Sequence, residues 1–115
     1  MRLLTFEDRG ARRLGALMGE QVVDVAAARA AWRPGAAAWA DMQAFLAAGP
    51  TAWAELAADL AARDWTPFGR PFAGLKLAAP VQPSKIVAIG QNYFDHVAEQ
   101  NAALPERPII FAKFP

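Results

Sequence analysis

The sequence has no cysteine, so a disulfide, a thiolate nucleophile and a cysteine metal site are all excluded. Histidine occurs once, at His96, which leaves one imidazole for acid–base work. No apolar run approaches the roughly 18–20 residues that a membrane-spanning helix needs. The opening Met1–Asp8 lacks the long apolar stretch of a signal peptide, and a cytoplasmic protein is expected. Charge of one sign is also missing. Twelve basic against eleven acidic residues leave a net charge of +1, which gives no electrostatic reason to expect nucleic acid or an anionic membrane as partner. The one basic cluster, Arg9, Arg12 and Arg13 around Gly10, reads as the decoration of a turn.

What is present is a globular composition, 55% hydrophobic and 20% charged over 115 residues, enough for a real core and too few for two ordinary domains. Strands are predicted over 2–6, 13–18 and 21–25, the last two joined by a tight turn at Gly19-Glu20. Residues 26–64 are dominated by alanine, with a bulky residue every three or four positions. Asp41 is placed to cap a helix running through Ala48 and ended by Gly49-Pro50, and Thr51 to cap the next. The stripes Trp39, Met42, Leu46 and Trp53, Leu56, Leu60 have helical spacing, which points to core packing rather than a ligand surface. Residues 65–84 hold Pro67, Gly69, Pro71, Gly74, Pro80 and Pro83. They read as an extended connector with one short strand at Leu75–Leu77. The fold class is α+β: a small domain over 1–74, a hairpin sheet plus helices, followed by the beginning of a second domain over 75–115.

The stretch with chemical content is Lys85–Glu99. Residues 85–89 predict a strand buried on both faces, and Gly90 permits its sharp exit. Asn92 predicts an N-cap, with Asp95 three residues on, for a helix reaching about Asn101. A further strand is predicted over 108–113. His96 and Glu99, three apart, share one helix face. A carboxylate accepting from one imidazole nitrogen leaves the other free as a base. The same spacing also arises as an exposed surface pair worth a few tenths of a kcal/mol. It is not His-Glu-x-x-His, so a zincin site is not indicated, and Gly90 alone is no dinucleotide fingerprint.

Ile89-Gly90-Gln91-Asn92-Tyr93-Phe94-Asp95-His96-Val97-Ala98-Glu99 resembles the Ile-Gly-x-Asn-Tyr-x-x-His-x-x-Glu segment of the fumarylacetoacetate hydrolase family. Leu77-Ala78-Ala79-Pro80 with Pro83-Ser84-Lys85-Ile86 is similar to that family's approach to the segment. Pro108 to Lys113 is similar to its following strand, although Phe114 stands before Pro115 where the family's lysine is usually followed by proline. The N-terminal region is similar to that of bacterial members.

The resemblance implies a mixed β-sandwich-like roll, usually dimeric, acting on 2-oxo and 1,3-diketo acids with Mg²⁺ or Mn²⁺. It implies His96 as the base, Glu99 as its orienting partner, and Tyr93 and Lys113 near the substrate. The family's metal is held by a Glu-x-Glu pair and an aspartate further along, and no Glu-x-Glu occurs here. The 115 residues are therefore expected to be the N-terminal part of a longer enzyme. No metal site is expected in this chain, the ligands lying beyond Pro115, and little activity from it alone. Hydrolysis of a carbon–carbon bond in an acylpyruvate-like substrate is the leading chemistry, with decarboxylation, hydration or isomerisation as family variants. The competing reading is a non-catalytic module for assembly or partner binding, which the four tryptophans keep open.

Overall fold

Strand-forming runs separated by two-residue turns fold the N-terminus into an antiparallel meander. In the computed structural model, which describes residues 1–114, β1 (Arg2–Asp8) pairs with β2 (Ala11–Met18) from Arg2↔Leu17 to Asp8↔Ala11. Arg9 and Gly10 form the turn with φ of +51° and +82°, both positive as the two-residue turn compatible with strand twist requires. β3 (Gln21–Asp24) continues the sheet after a turn at Gly19.

The third strand ends earlier than the β-branched run suggests. Val25 opens α1 (Val25–Trp32) because Asp24 caps it, accepting from the Ala27 backbone N–H at 3.1 Å. Asp24 also pairs with Arg13 at 2.7 Å. α2 (Met42–Ala47) is capped by Asp41 as its sequence predicts, the side chain accepting from the Ala44 N–H at 2.8 Å. Gly49 ends α2 as its sequence predicts, following the C-cap Ala48 with φ of +78°, and Gly49 and Pro50 also begin α3 (Gly49–Ala62). Proline is compatible with a first helical turn, where its missing N–H has no partner to lose. Thr51 consequently lies inside α3 and caps nothing.

Leu14, Val23 and Val25 of the sheet side pack with Trp39, Phe45 and Leu56 in one core. The two helical stripes are only partly in it. Leu56, Leu60, Trp39 and Met42 are buried, while Trp53 and Leu46 are 39% and 43% exposed, and Phe45 takes the inward position on α2. The Trp53 indole N–H donates to the Phe45 carbonyl oxygen at 3.3 Å, so its rim position still has a polar anchor.

Charged side chains tie α1 to α3. The Arg29 guanidinium stacks 3.5 Å over the Trp39 ring, donates to the Ala37 carbonyl oxygen at 2.8 Å and pairs with Glu55. Asp59, buried on α3, accepts from Arg33 at 2.7 and 3.0 Å and from Arg63 at 2.8 Å. The two hydrogen-bonded guanidiniums, Arg33 first, hold the Asp59 carboxyl below its ordinary value of 3.8 although desolvation acts the other way. A depressed folded-state pKa contributes stability above the unfolded value that is lost as pH falls through the folded one. Urea unfolding midpoints should thus hold steady down to about pH 4 and drop below it. Asp59→Asn should flatten that acid limb. Identical acid slopes in the two proteins would remove Asp59 from the explanation.

The breaker-rich connector does more than link. After a 3₁₀ turn at Thr66–Phe68, β4 (Gly69–Pro71) pairs with β3, and β5 (Leu77–Ala78) pairs with β1. The sheet is therefore five-stranded, in the order β4-β3-β2-β1-β5. Prolines and glycines forbid a long element here but allow two- and three-residue pairings, which leave the short β4 and β5 as the edges of the sheet.

Met1–Val81 form one compact unit and the residues from Gln82 a second. In the second, β6 (Ile86–Gly90) runs antiparallel to β7 (Ile109–Lys113), with α4 (Phe94–Glu99) between them in sequence. The expectation that β6 is buried on both faces is not met. Val87 is 66% and Ile89 54% exposed, and every residue of β7 is exposed. A two-stranded sheet buries apolar faces only against another layer, and none covers this pair among the described residues. The whole is an α+β fold with two antiparallel sheets. No helix among the described residues is long and apolar enough to cross a membrane.

Candidate functional site

β6 delivers the site. Gly90, its last residue, sits where a Cβ would meet Ile109 and Phe111 at 3.4 Å, ordinary van der Waals contact, so packing does not demand glycine there. Gln91 then turns with φ of +48°, a left-handed conformation, and the chain enters α4. The helix is shorter than its sequence suggests. Its N-cap is Tyr93, not Asn92, no side chain caps it, and it ends at Glu99 with Gln100 as C-cap. Asn101 follows with φ of +48°, a conformation asparagine tolerates, and this stops the helix. The Gln91 amide donates to the Gln100 amide oxygen at 3.1 Å, joining the two ends of α4.

Of the four site residues expected from sequence, two come together. The Tyr93 and His96 rings lie edge to face, with centroids 5.6 Å apart and planes at 65°. Both side chains are exposed, whereas Val97 between His96 and Glu99 is buried and anchors the helix. No hydrogen bond or ion pair joins His96 to Glu99 among the described residues. Glu99 is the last residue of α4, and an exposed pair worth a few tenths of a kcal/mol does not by itself impose a contact there. Lys113 is opposite Ile86, at the far end of the strand pair from Gly90, four residues and roughly 13 Å along the strand. Its ammonium lies 5.7 Å from the Phe111 ring centroid.

A cleft of about 270 Å³ opens at the exit of β6, with Ile89, Gly90, Asn92, Phe94, Leu104 and Arg107 in its wall. Arg107 and its neighbour Glu106, which also lines the cleft, were not singled out from the sequence. The available signal was a charged pair held between two prolines, Pro105 and Pro108, directly before a strand.

No protein-family model matches the chain. Among curated proteins it is similar to a fumarylacetoacetate hydrolase domain-containing protein 2 homolog of Dictyostelium discoideum. The identity is 46% over 44 residues, 38% of this chain and 14% of that protein. It is 49% identical over 45 residues to the human mitochondrial oxaloacetate tautomerase FAHD2B, again 38% of this chain and 14% of the relative. Over that stretch the chain is similar to proteins named for a fumarylacetoacetate hydrolase domain and for oxaloacetate tautomerase activity. An uncharacterized protein of Archaeoglobus fulgidus is 51% identical over 43 residues, 37% of this chain and 17% of its own length. The matches thus span about a sixth or less of the relatives' length.

The metal that the fumarylacetoacetate hydrolase family implies needs several carboxylate or imidazole ligands at one point. No cluster of three His, Asp or Glu side chains exists among the described residues, so this chain's own groups do not fit that ion. What the segment offers instead is an exposed imidazole beside an aromatic wall.

Proposed function

We propose that this chain supplies the proton-transfer segment of a fumarylacetoacetate hydrolase-type enzyme acting on 2-oxo or 1,3-diketo acids, and that the reaction is hydrolysis of an acylpyruvate-like substrate. The observation that carries this is the Ile-Gly-x-Asn-Tyr-x-x-His-x-x-Glu segment at a strand-to-helix exit, with its imidazole exposed and in no hydrogen bond among the described residues. An unencumbered imidazole near neutral pH can take a proton from water. The hydroxide so formed adds to the acyl carbonyl, the carbon–carbon bond breaks, and the pyruvate enolate takes a proton back. In this reading His96 holds and returns the proton, Glu99 orients His96 once substrate is bound, Lys113 lies on the substrate side, and Tyr93 stands beside the imidazole. Mg²⁺ or Mn²⁺, held by carboxylates outside this chain, would supply Lewis acidity toward the oxo-acid end. The working enzyme would be a cytoplasmic homodimer.

A second reading has a specific observation in its favour. Relatives bear the name oxaloacetate tautomerase, and a keto–enol shift needs one base to move one proton, with no activated water. His96, exposed at the strand-to-helix exit, suffices for that.

The test uses a polypeptide that joins this chain to a body of the length its relatives have, supplied with Mg²⁺ or Mn²⁺. Cleavage of acylpyruvates to pyruvate and a carboxylate supports the first reading. Oxaloacetate enol–keto exchange without cleavage replaces it with the second. Neither activity, together with stable capture of a protein partner, would leave the chain a non-catalytic module.

A further inference from the structure

We propose that Tyr93 is a positioning residue for His96, its ring serving as the wall that fixes the imidazole rather than as a group that binds substrate. This rests on the reading of His96 as the base. Three observations carry it. The Tyr93–His96 ring pair, at 5.6 Å and 65°, has the edge-to-face geometry in which aromatic rings attract. The His96 imidazole has no hydrogen bond or ion pair among the described residues, so nothing else there selects its rotamer. Tyr93 is itself held, because it is the N-cap of α4 and its carbonyl oxygen accepts from the Val97 N–H at 3.3 Å, while Val97 is buried.

The consequence is physical. An exposed histidine on a six-residue helix would otherwise sample several side-chain rotamers, and each excursion takes the base away from its proton. A ring three residues earlier, on the same side of the first turn, removes some of that freedom without engaging either ring nitrogen. Both nitrogens stay available, one for a carboxylate and one for substrate. A phenol hydroxyl is not needed for this role; a ring is.

His96 and Tyr93 are the only histidine and the only tyrosine, so each gives a single set of side-chain resonances in the intact 115-residue chain. The expected result is a cross-relaxation peak between the two rings, ring-current-shifted imidazole protons and a single set of His96 χ1 couplings. Tyr93→Phe should retain the imidazole shifts and couplings. Tyr93→Leu should return the imidazole protons to free-histidine positions and average the couplings, with the Val97 amide unmoved. Should Tyr93→Leu unfold α4, Tyr93→Trp serves instead: its different ring current must shift the imidazole protons while the Val97 amide stays. Imidazole resonances indifferent to Leu, or to Trp in that event, overturn the proposal. So does a Phe variant that behaves like Leu, since that result assigns the role to the hydroxyl.

In the active polypeptide Tyr93→Leu should lower kcat roughly threefold to tenfold with KM little changed, the range an aromatic pair is worth. A rise in KM at constant kcat would instead make Tyr93 a substrate contact. Lack of any enzymatic activity would count against the functional reading alone, because the ring contact is read in the spectrum without turnover.

Discussion

His96→Ala should lower kcat by roughly 100- to 10,000-fold in the enzyme that carries this segment, the range that general acid–base catalysis contributes. The size follows from the role of His96 as the base in the proposed reading. The chain holds no second histidine, and His96 is the only imidazole on the strand-to-helix exit. Folding should be untouched, because the side chain is exposed and makes no hydrogen bond among the described residues. The variant's urea midpoint should therefore match the parent's, and that pairing of results separates a chemical role from a structural one. Glu99→Gln is the informative companion. In the hydrolytic reading the carboxylate orients the base, so the amide should cause a clear but smaller fall. In the tautomerase reading Glu99 is not required and turnover should persist. A His96→Ala enzyme within about threefold of the parent would end the assignment of His96 as the base.

Phe45→Ala should destabilise the first unit by about 3–5 kcal/mol, the usual cost of deleting a buried phenylalanine ring. Phe45 is 1% exposed and packs edge to face on Trp39 with centroids 5.0 Å apart. α2 is only six residues long, too short to persist by its own hydrogen bonds, so its place depends on the side chains it buries. Met42 and Phe45 are those side chains. Since domains of this size have total stabilities of about 5–15 kcal/mol, the loss is a large fraction of the whole. All four tryptophans, Trp32, Trp39, Trp53 and Trp65, lie in the first unit, so fluorescence during urea unfolding reads that unit by itself. A shift equivalent to less than about 1 kcal/mol would mean the cavity collapses and that Phe45 is not a keystone of this core.

The sequence alone determined the strands of the N-terminal meander, the Asp41 cap and the strand-to-helix exit at Gly90, because each rests on interactions among residues adjacent in the chain. It also marked His96, since a lone histidine in a motif stands out without any knowledge of packing. Local signals failed where two of them competed. Val25 has strand propensity, yet Asp24 caps a helix that starts at it; Thr51 reads as a cap, yet Pro50 already stands in the first turn of α3.

Only the tertiary structure decided the rest. That the connector adds a strand at each side of the first sheet depends on pairings between Gly69–Pro71 and β3 and between Leu77–Ala78 and β1, partners 46 to 73 residues apart that no local pattern encodes. That Asp59, and not a leucine, occupies a buried position on α3 depends on Arg33 arriving from α1. The pairing of His96 with Tyr93 rather than Glu99 depends on where α4 begins and ends. Helical spacing makes both contacts reachable, and the structure shows the ring pair.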